Sequence, residues 1–235
     1  MSYTPHAAPP LALGTGLRSL LAVTIPSHSL QRCPLLTLAR RVMIPSRASS
    51  MEDDGLVLKA GKDRPMHDDR EPIGRIVRLQ VQAAHLKRGE QPSRWYDPAP
   101  ITEVATLRLD EGGVTGIAID GTAHHDVHHR DHPLSRNRGD NGISVGFTGH
   151  YAAMRERFGD QLMHGIAGEN ILVECNTVQT EPGPGGRLII ETGNGLVRLE
   201  EVIAAPPCVE FVRFCLQWPR DRKPDRTVTE ALQFL

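Results

Sequence analysis

The sequence predicts a mainly β fold with a few short helices, and three features carry that prediction. Val77, Leu79 and Val81 alternate with Arg78, Gln80 and Gln82, the period-two pattern of a strand with one buried face. Asn194–Gly195 stands between two apolar stretches, a dipeptide that accepts the positive φ angles of a tight hairpin. The 235 residues include 22 Gly and 18 Pro, which favours frequent turns over long helices. No βαβ rhythm or internal repeat is visible, so the pattern points to a β-barrel.

The elements follow in order. After the first strand, a polar loop runs through Lys87, Arg88 and Pro92 to Pro100. A second strand is expected over Ala105–Leu109, with Ala105, Leu107 and Leu109 on one face. Gly112–Gly113 then turns the chain into a third, Val114–Ile119. Residues 120–142 have no periodicity and read as a long functional loop. Tyr151, Met154 and Phe158 share a helix face that Gly159 closes. Ile171–Val173 is a short strand. Leu188 and Ile190 lead into the hairpin, whose return strand carries Val197 and Leu199 and runs to Ile203 before Pro206–Pro207. Val209–Cys215 is expected as a short helix or buried segment. In the last nine residues Thr227 and Glu230 fit a capping box, and Val228, Ala231, Leu232 and Leu235 form an apolar stripe that needs a partner.

Charge and composition limit the function classes. The formal net charge is −1 and aromatics are 4%, so neither a polybasic surface nor base stacking argues for nucleic acid. No run approaches the ~18 apolar residues of a membrane span. Cys33, Cys175, Cys208 and Cys215 form no CxxC pair and read as reduced thiols in a cytoplasmic setting.

Residues 1–51 contain no Asp or Glu but carry Arg18, Arg32, Arg40, Arg41 and Arg47 among many Ser, Thr, Leu and Pro. Three readings stand: a disordered or mis-assigned extension with Met51 as the start, an organellar targeting segment, or an ordered part of the fold. Residues 52–72 are charged and poor in apolar side chains, as a linker would be. Residues 73–235 form the expected domain.

Four stretches carry chemistry. Between His124 and His132 lie five of the chain's 11 histidines, with Asp126, Arg130 and Asp131. His128 and His129 can donate to an anion, helped by Arg130, Arg136 and Arg138. A structural loop and a metal site are the alternatives, imidazole being a common metal ligand. Arg136 to Gly142 sets two arginines in a Gly-rich turn with Asn141, suited to bidentate phosphate or carboxylate contacts or to a plain turn. Gly168-Glu169-Asn170 precedes a strand; its polar side chains can read a ligand or pin the turn. Pro206-Pro207-Cys208 holds a thiol at a defined place, and a helix opening at Val209 would favour its thiolate. A lone cysteine is also a common small buried residue.

Together and in this order, the His loop at 124–132, the Gly168-Glu169-Asn170 turn before Ile171-Leu172-Val173, and Pro207-Cys208 after a hairpin resemble the MOSC domain family. This is the C-terminal domain of molybdenum cofactor sulfurases, and it also occurs in small stand-alone proteins. The resemblance spans about Ile73 to Cys215. It implies a MOSC-type β-barrel that binds the molybdenum cofactor, with Cys208 as metal ligand or sulfur carrier. His128, His129, Arg136, Arg138, Asn141, Gly168, Glu169 and Asn170 are then the cofactor-binding candidates. His129-Arg130 stands where the family usually has glycines. The resemblance further implies an oxidoreductase acting on small N-hydroxylated substrates with an external electron donor, or a sulfur carrier fed by a sulfur donor; a non-catalytic module whose basic loop holds a small anion is the third reading. The family's pyridoxal-phosphate-dependent domain does not fit in this length, so pyridoxal phosphate is not expected.

Overall fold

The computed structural model describes residues 72–137, 142–176, 186–193 and 195–235 in full, and three earlier strands by their backbone pairing. In chain order the elements begin with β1 (Val23–Thr24), β2 (Leu36–Met43), β3 (Leu56–Leu58), β4 (Pro72–Gln82), β5 (Lys87–Arg88), β6 (Trp95–Tyr96) and β7 (Ile101–Glu103). Next come β8 (Thr106–Asp110), β9 (Gly113–Ile117), β10 (Ala123–His125), β11 (Ile143–Phe147), α1 (Thr148–Phe158) and β12 (Ile171–Glu174). The chain closes with β13 (Leu188–Thr192), β14 (Gly195–Ala205), α2 (Val209–Cys215) and α3 (Arg226–Phe234).

The fold is mainly strands with few short helices. An eight-stranded sheet has the order β1-β13-β14-β2-β11-β12-β4-β7, and a four-stranded sheet the order β10-β9-β8-β3. The two-residue β1 also pairs with β4; across so short a bridge no closed barrel is detected. β1, β2 and β3 come from the stretches that the sequence reads as extension and linker. β2 nonetheless lies between β14 and β11, with Leu38 opposite Ile203 and Ser144.

β4 shows how a local irregularity redirects side chains. The alternation predicts Val77, Leu79 and Val81 on one buried face. Leu79 and Val81 are buried, but Val77 is 40% exposed. Opposite β4, Leu172 pairs with Arg78 and Val173 with Ile76. Val77 is therefore the extra residue of a bulge, and the inward parity changes there to Ile76. β9 stops at Ile117, because Ala118 and Gly121 form a turn that leads into β10. Ile119, expected at the strand's end, is 95% exposed at that turn. The loop expected from residue 120 thus begins with a strand.

One βαβ unit is present despite the expectation of none. β11 and β12 are parallel and α1 connects them, as a parallel pair requires. At the C-terminus Asp225, not Thr227, caps α3, its carboxylate accepting the Thr227 amide at 2.8 Å. Val228, Ala231 and Leu235 are buried in the cluster that also holds Phe211, Val212 and Cys215 of α2. The apolar stripe has its partner there. The sheet interior forms a separate core of Leu79, Val81, Leu107, Val145, Ile171, Val197 and their neighbours.

Candidate functional site

The histidine loop and the Gly168–Asn170 turn meet through one buried carboxylate. Asp126 follows β10, and its Oδ1 accepts the His128 amide at 2.9 Å and His128 Nδ1 at 2.8 Å. Its Oδ2 accepts the Gln82 amide at 2.8 Å and Asn170 Nδ2 at 2.9 Å. Burial alone would raise its pKa, but these hydrogen bonds, with the charge of His128, hold it below the ordinary carboxylate value. Asn170 is committed as fully. Its Oδ1 accepts from the Ser144 amide and hydroxyl at 3.1 and 2.9 Å, and its Nδ2 also reaches the Gln80 carbonyl at 3.3 Å. It ties β4, β11 and the histidine loop together.

His128 and His129 are neighbours with different environments. His129 is buried; its Nδ1 accepts the Asp131 amide at 3.1 Å and its Nε2 bonds Asp110 Oδ1 at 3.1 Å. The accepting Nδ1 places the proton on Nε2. The ring stacks on His125 with centroids 4.1 Å apart, and both nitrogens are held within the chain. His128 uses only Nδ1, donating to Asp126, and its side chain is 44% exposed. That partner leaves Nε2 with the lone pair, the arrangement a carboxylate imposes on a ligating histidine.

His85, which the sequence did not single out, faces His128 with ring centroids 6.4 Å apart. Its Nε2 bonds the Leu134 carbonyl at 2.8 Å. Burial lowers its pKa against that hydrogen bond, and the nearby charges of Arg136, His128 and His132 press the same way. Arg136 is exposed beside these rings. His85, His128 and His132 therefore lie near one another, with Arg136 as the fixed positive charge among them. Arg138 and Asn141 lie outside the described residues. Among the described residues, no three His, Cys, Asp or Glu side chains converge as a metal-holding group.

Gly168 has φ +87°, and a Cβ there would meet Leu86 and Gln82; its carbonyl accepts Gln82 Nε2 at 2.7 Å. Glu169 is wholly buried. The Tyr151 hydroxyl, 2.8 and 3.0 Å from its two oxygens, donates to it and accepts the Ala167 amide at 3.1 Å. Burial pushes the Glu169 pKa up to about 7, even against its hydrogen bonds and the charge of Arg78. Gly146 makes room for it: a Cβ there would lie 2.7 Å from Glu169 Oε1.

Cys208 is the N-cap of α2, half-buried, with Sγ accepting the Phe211 amide at 3.4 Å. It packs against the helical core, in which Tyr96 stands edge-on to Phe211 at 5.0 Å. The Tyr96 hydroxyl donates to the Ile166 carbonyl at 2.7 Å. Burial raises its pKa strongly, and Glu169, Cys208 and Cys215 add to the rise. Tyr96 shares a core cluster with Cys208 and bonds the backbone just before the Gly168–Asn170 turn, and Asp126 joins that turn to His128. Asp126 had a sequence signal, an Asp two residues before the histidine whose amide it accepts. Tyr151 and Tyr96 had none, because their partners are distant in the chain.

No family model, no curated protein and no solved structure matches this chain.

Proposed function

We propose that the chain binds a molybdenum cofactor, with the Cys208 thiolate as the protein's ligand to the metal, and acts as a reductase of N-hydroxylated compounds. The supporting observation is convergence. Asp126 bonds both His128 and Asn170, and Cys208 shares a core cluster with Tyr96, whose hydroxyl bonds the Ile166 carbonyl just before the Gly168–Asn170 turn. The finer fold reading, a MOSC-type barrel, belongs with this proposal and draws support from β1 pairing with both β13 and β4.

The donor set suits such a group. A metal held mainly by its own organic ligand needs one soft thiolate from the protein rather than several side chains. Cys208 offers a half-buried sulfur that accepts the Phe211 amide. Arg136 offers a guanidinium for the cofactor's acidic part, and His128 can donate there from Nε2 when that nitrogen carries a proton. When bound, the group would supply redox-active metal chemistry for oxygen-atom transfer, held by Cys208. Glu169 holds a proton up to about pH 7 behind the turn. Asn170 and Asp126 keep turn and loop in register. Electrons come from a separate donor protein.

A second reading rests on the same Cys208 sulfur. An amide donor stabilises a persulfide anion as it does a thiolate, so the residue also suits a sulfur carrier. Elemental analysis of wild type beside Cys208→Ala, both made in a cofactor-competent host, separates the two. Molybdenum in wild type and none in the variant supports the reductase. A metal-free wild type whose mass shows one added sulfur on Cys208 supports the carrier.

A further inference from the structure

Beyond the Cys208 end of α2, the far end of the same helix borders a cavity of about 390 Å³ against β6, within the size range of small-molecule sites. Trp95, Tyr96, Phe214 and Trp218 line it. In a chain with 4% aromatic residues and two tryptophans, both indoles meet here.

The charges around it do not cancel. Glu210 is paired with Arg94 at 2.6 Å. Arg213 is buried and donates to the carbonyls of Pro219, Arg220 and Arg222 at 3.0, 2.8 and 3.4 Å, with no carboxylate partner among the described residues. These bonds hold the loop that carries Arg220. Arg220 is exposed, has no ion pair among the described residues, and places its guanidinium 4.3 Å from the Trp95 ring centre. A buried cation answered only by carbonyl dipoles beside a free guanidinium leaves the cavity short of negative charge.

The backbone adds an independent sign. Leu216 caps α2, and Gln217 follows with φ +51°. The Gln217 amide donates to the Phe214 carbonyl and the Trp218 amide to the Arg213 carbonyl, at 3.0 and 2.7 Å. That is a Schellman turn, whose left-handed position glycine normally fills. A glutamine stands there, the residue lines the cavity, and its side-chain amide has no hydrogen-bond partner among the described residues.

We propose that this cavity is a binding site for a planar aromatic anion, its ring packed beside Trp95, Phe214 and Trp218, with Arg220 and Arg222 over the two indole faces, and its acid group paired with Arg220. Edge-on and offset packing suits a ring set among aromatic side chains. A bidentate arginine pair suits a carboxylate or phosphate. The site does not depend on the metal reading of Cys208.

Two tryptophans give two indole N–H resonances in the ¹H–¹⁵N spectrum of the full chain, both from this cavity. Titration with 2-naphthoate should move both to saturation, and neutral 2-naphthamide should bind at least tenfold more weakly. Arg220→Ala should weaken 2-naphthoate at least tenfold while leaving the rest of the spectrum and the Tm in place. 2-Naphthyl phosphate, tested beside 2-naphthoate, distinguishes a phosphate-bearing ligand from a carboxylate. Indole resonances that ignore 2-naphthoate, respond equally to the amide, or respond unchanged in Arg220→Ala would overturn the proposal.

Discussion

The junction around Asp126 and the two ends of α2 contain similar residue types and differ in how much bonding capacity they leave. At the junction Asp126 accepts four hydrogen bonds, Asn170 bridges three segments and both His129 nitrogens are engaged. Around α2 a cysteine sulfur accepts one long bond, Arg220 has no counter-ion among the described residues and Gln217 holds a strained backbone. Polar residues of the first kind build the fold. Those of the second kind have capacity left for a ligand. His128 stands on the border, since Asp126 fixes one nitrogen and leaves the other.

The largest effect should come from opening the junction. Asp126→Ala leaves the part-buried Gln82 and His128 amides without this acceptor and leaves Asn170 Nδ2 only the longer bond to the Gln80 carbonyl, each lost bond costing about 1–3 kcal/mol. A total loss of about 3–5 kcal/mol should appear in denaturant unfolding. A loss under about 1 kcal/mol would move Asp126 into the class of open residues.

Glu169 offers a graded version of the same test. Its folded pKa of about 7 lies above the ordinary 4.5. The protonated form is therefore the one the fold favours. Its contribution is fully present below about pH 4.5 and is lost as pH rises through about 7. The loss amounts to about 3 kcal/mol. Glu169→Gln should flatten that part of the stability–pH profile, measured as Tm between pH 4 and 8.

Gln217→Gly should raise stability by about 1 kcal/mol, because glycine adopts the left-handed conformation without strain. Wild-type Tm equal to that of the variant would remove the strain from the account. The smallest effect is expected at Cys208. Sulfur is a weak acceptor, so Cys208→Ala should cost less than about 1 kcal/mol in chemical unfolding.

Much of this architecture is legible in the sequence where a local rule applies. The bounds Val209–Cys215 follow from a Pro-Pro step and an apolar run, and the β13–β14 hairpin from its turn. Val77 is not legible, because the bulge that turns it outward arises from the pairing of β4 with β12. The capping box at Thr227 fails because Asp225, two residues earlier, is the better acceptor for the same helix end. In the site, the histidine cluster is visible as a run of letters. Which histidine stays open is not, since His129 is buried by stacking on His125 and bonding to Asp110, both set by the β8–β9–β10 meander. His85 and Tyr96 escape for the same reason: their partners are distant in sequence and near only after folding.

The contrast between a closed junction and an open helix end is tested most directly by molybdenum per folded chain in Cys208→Ala, measured beside wild type with the Tm of each. A metal-bearing wild type and a metal-free variant of nearly unchanged Tm is the predicted result. Molybdenum retained in the variant, or its loss only together with a collapsed Tm, would contradict the assignment of Cys208 as an open, ligand-bearing residue.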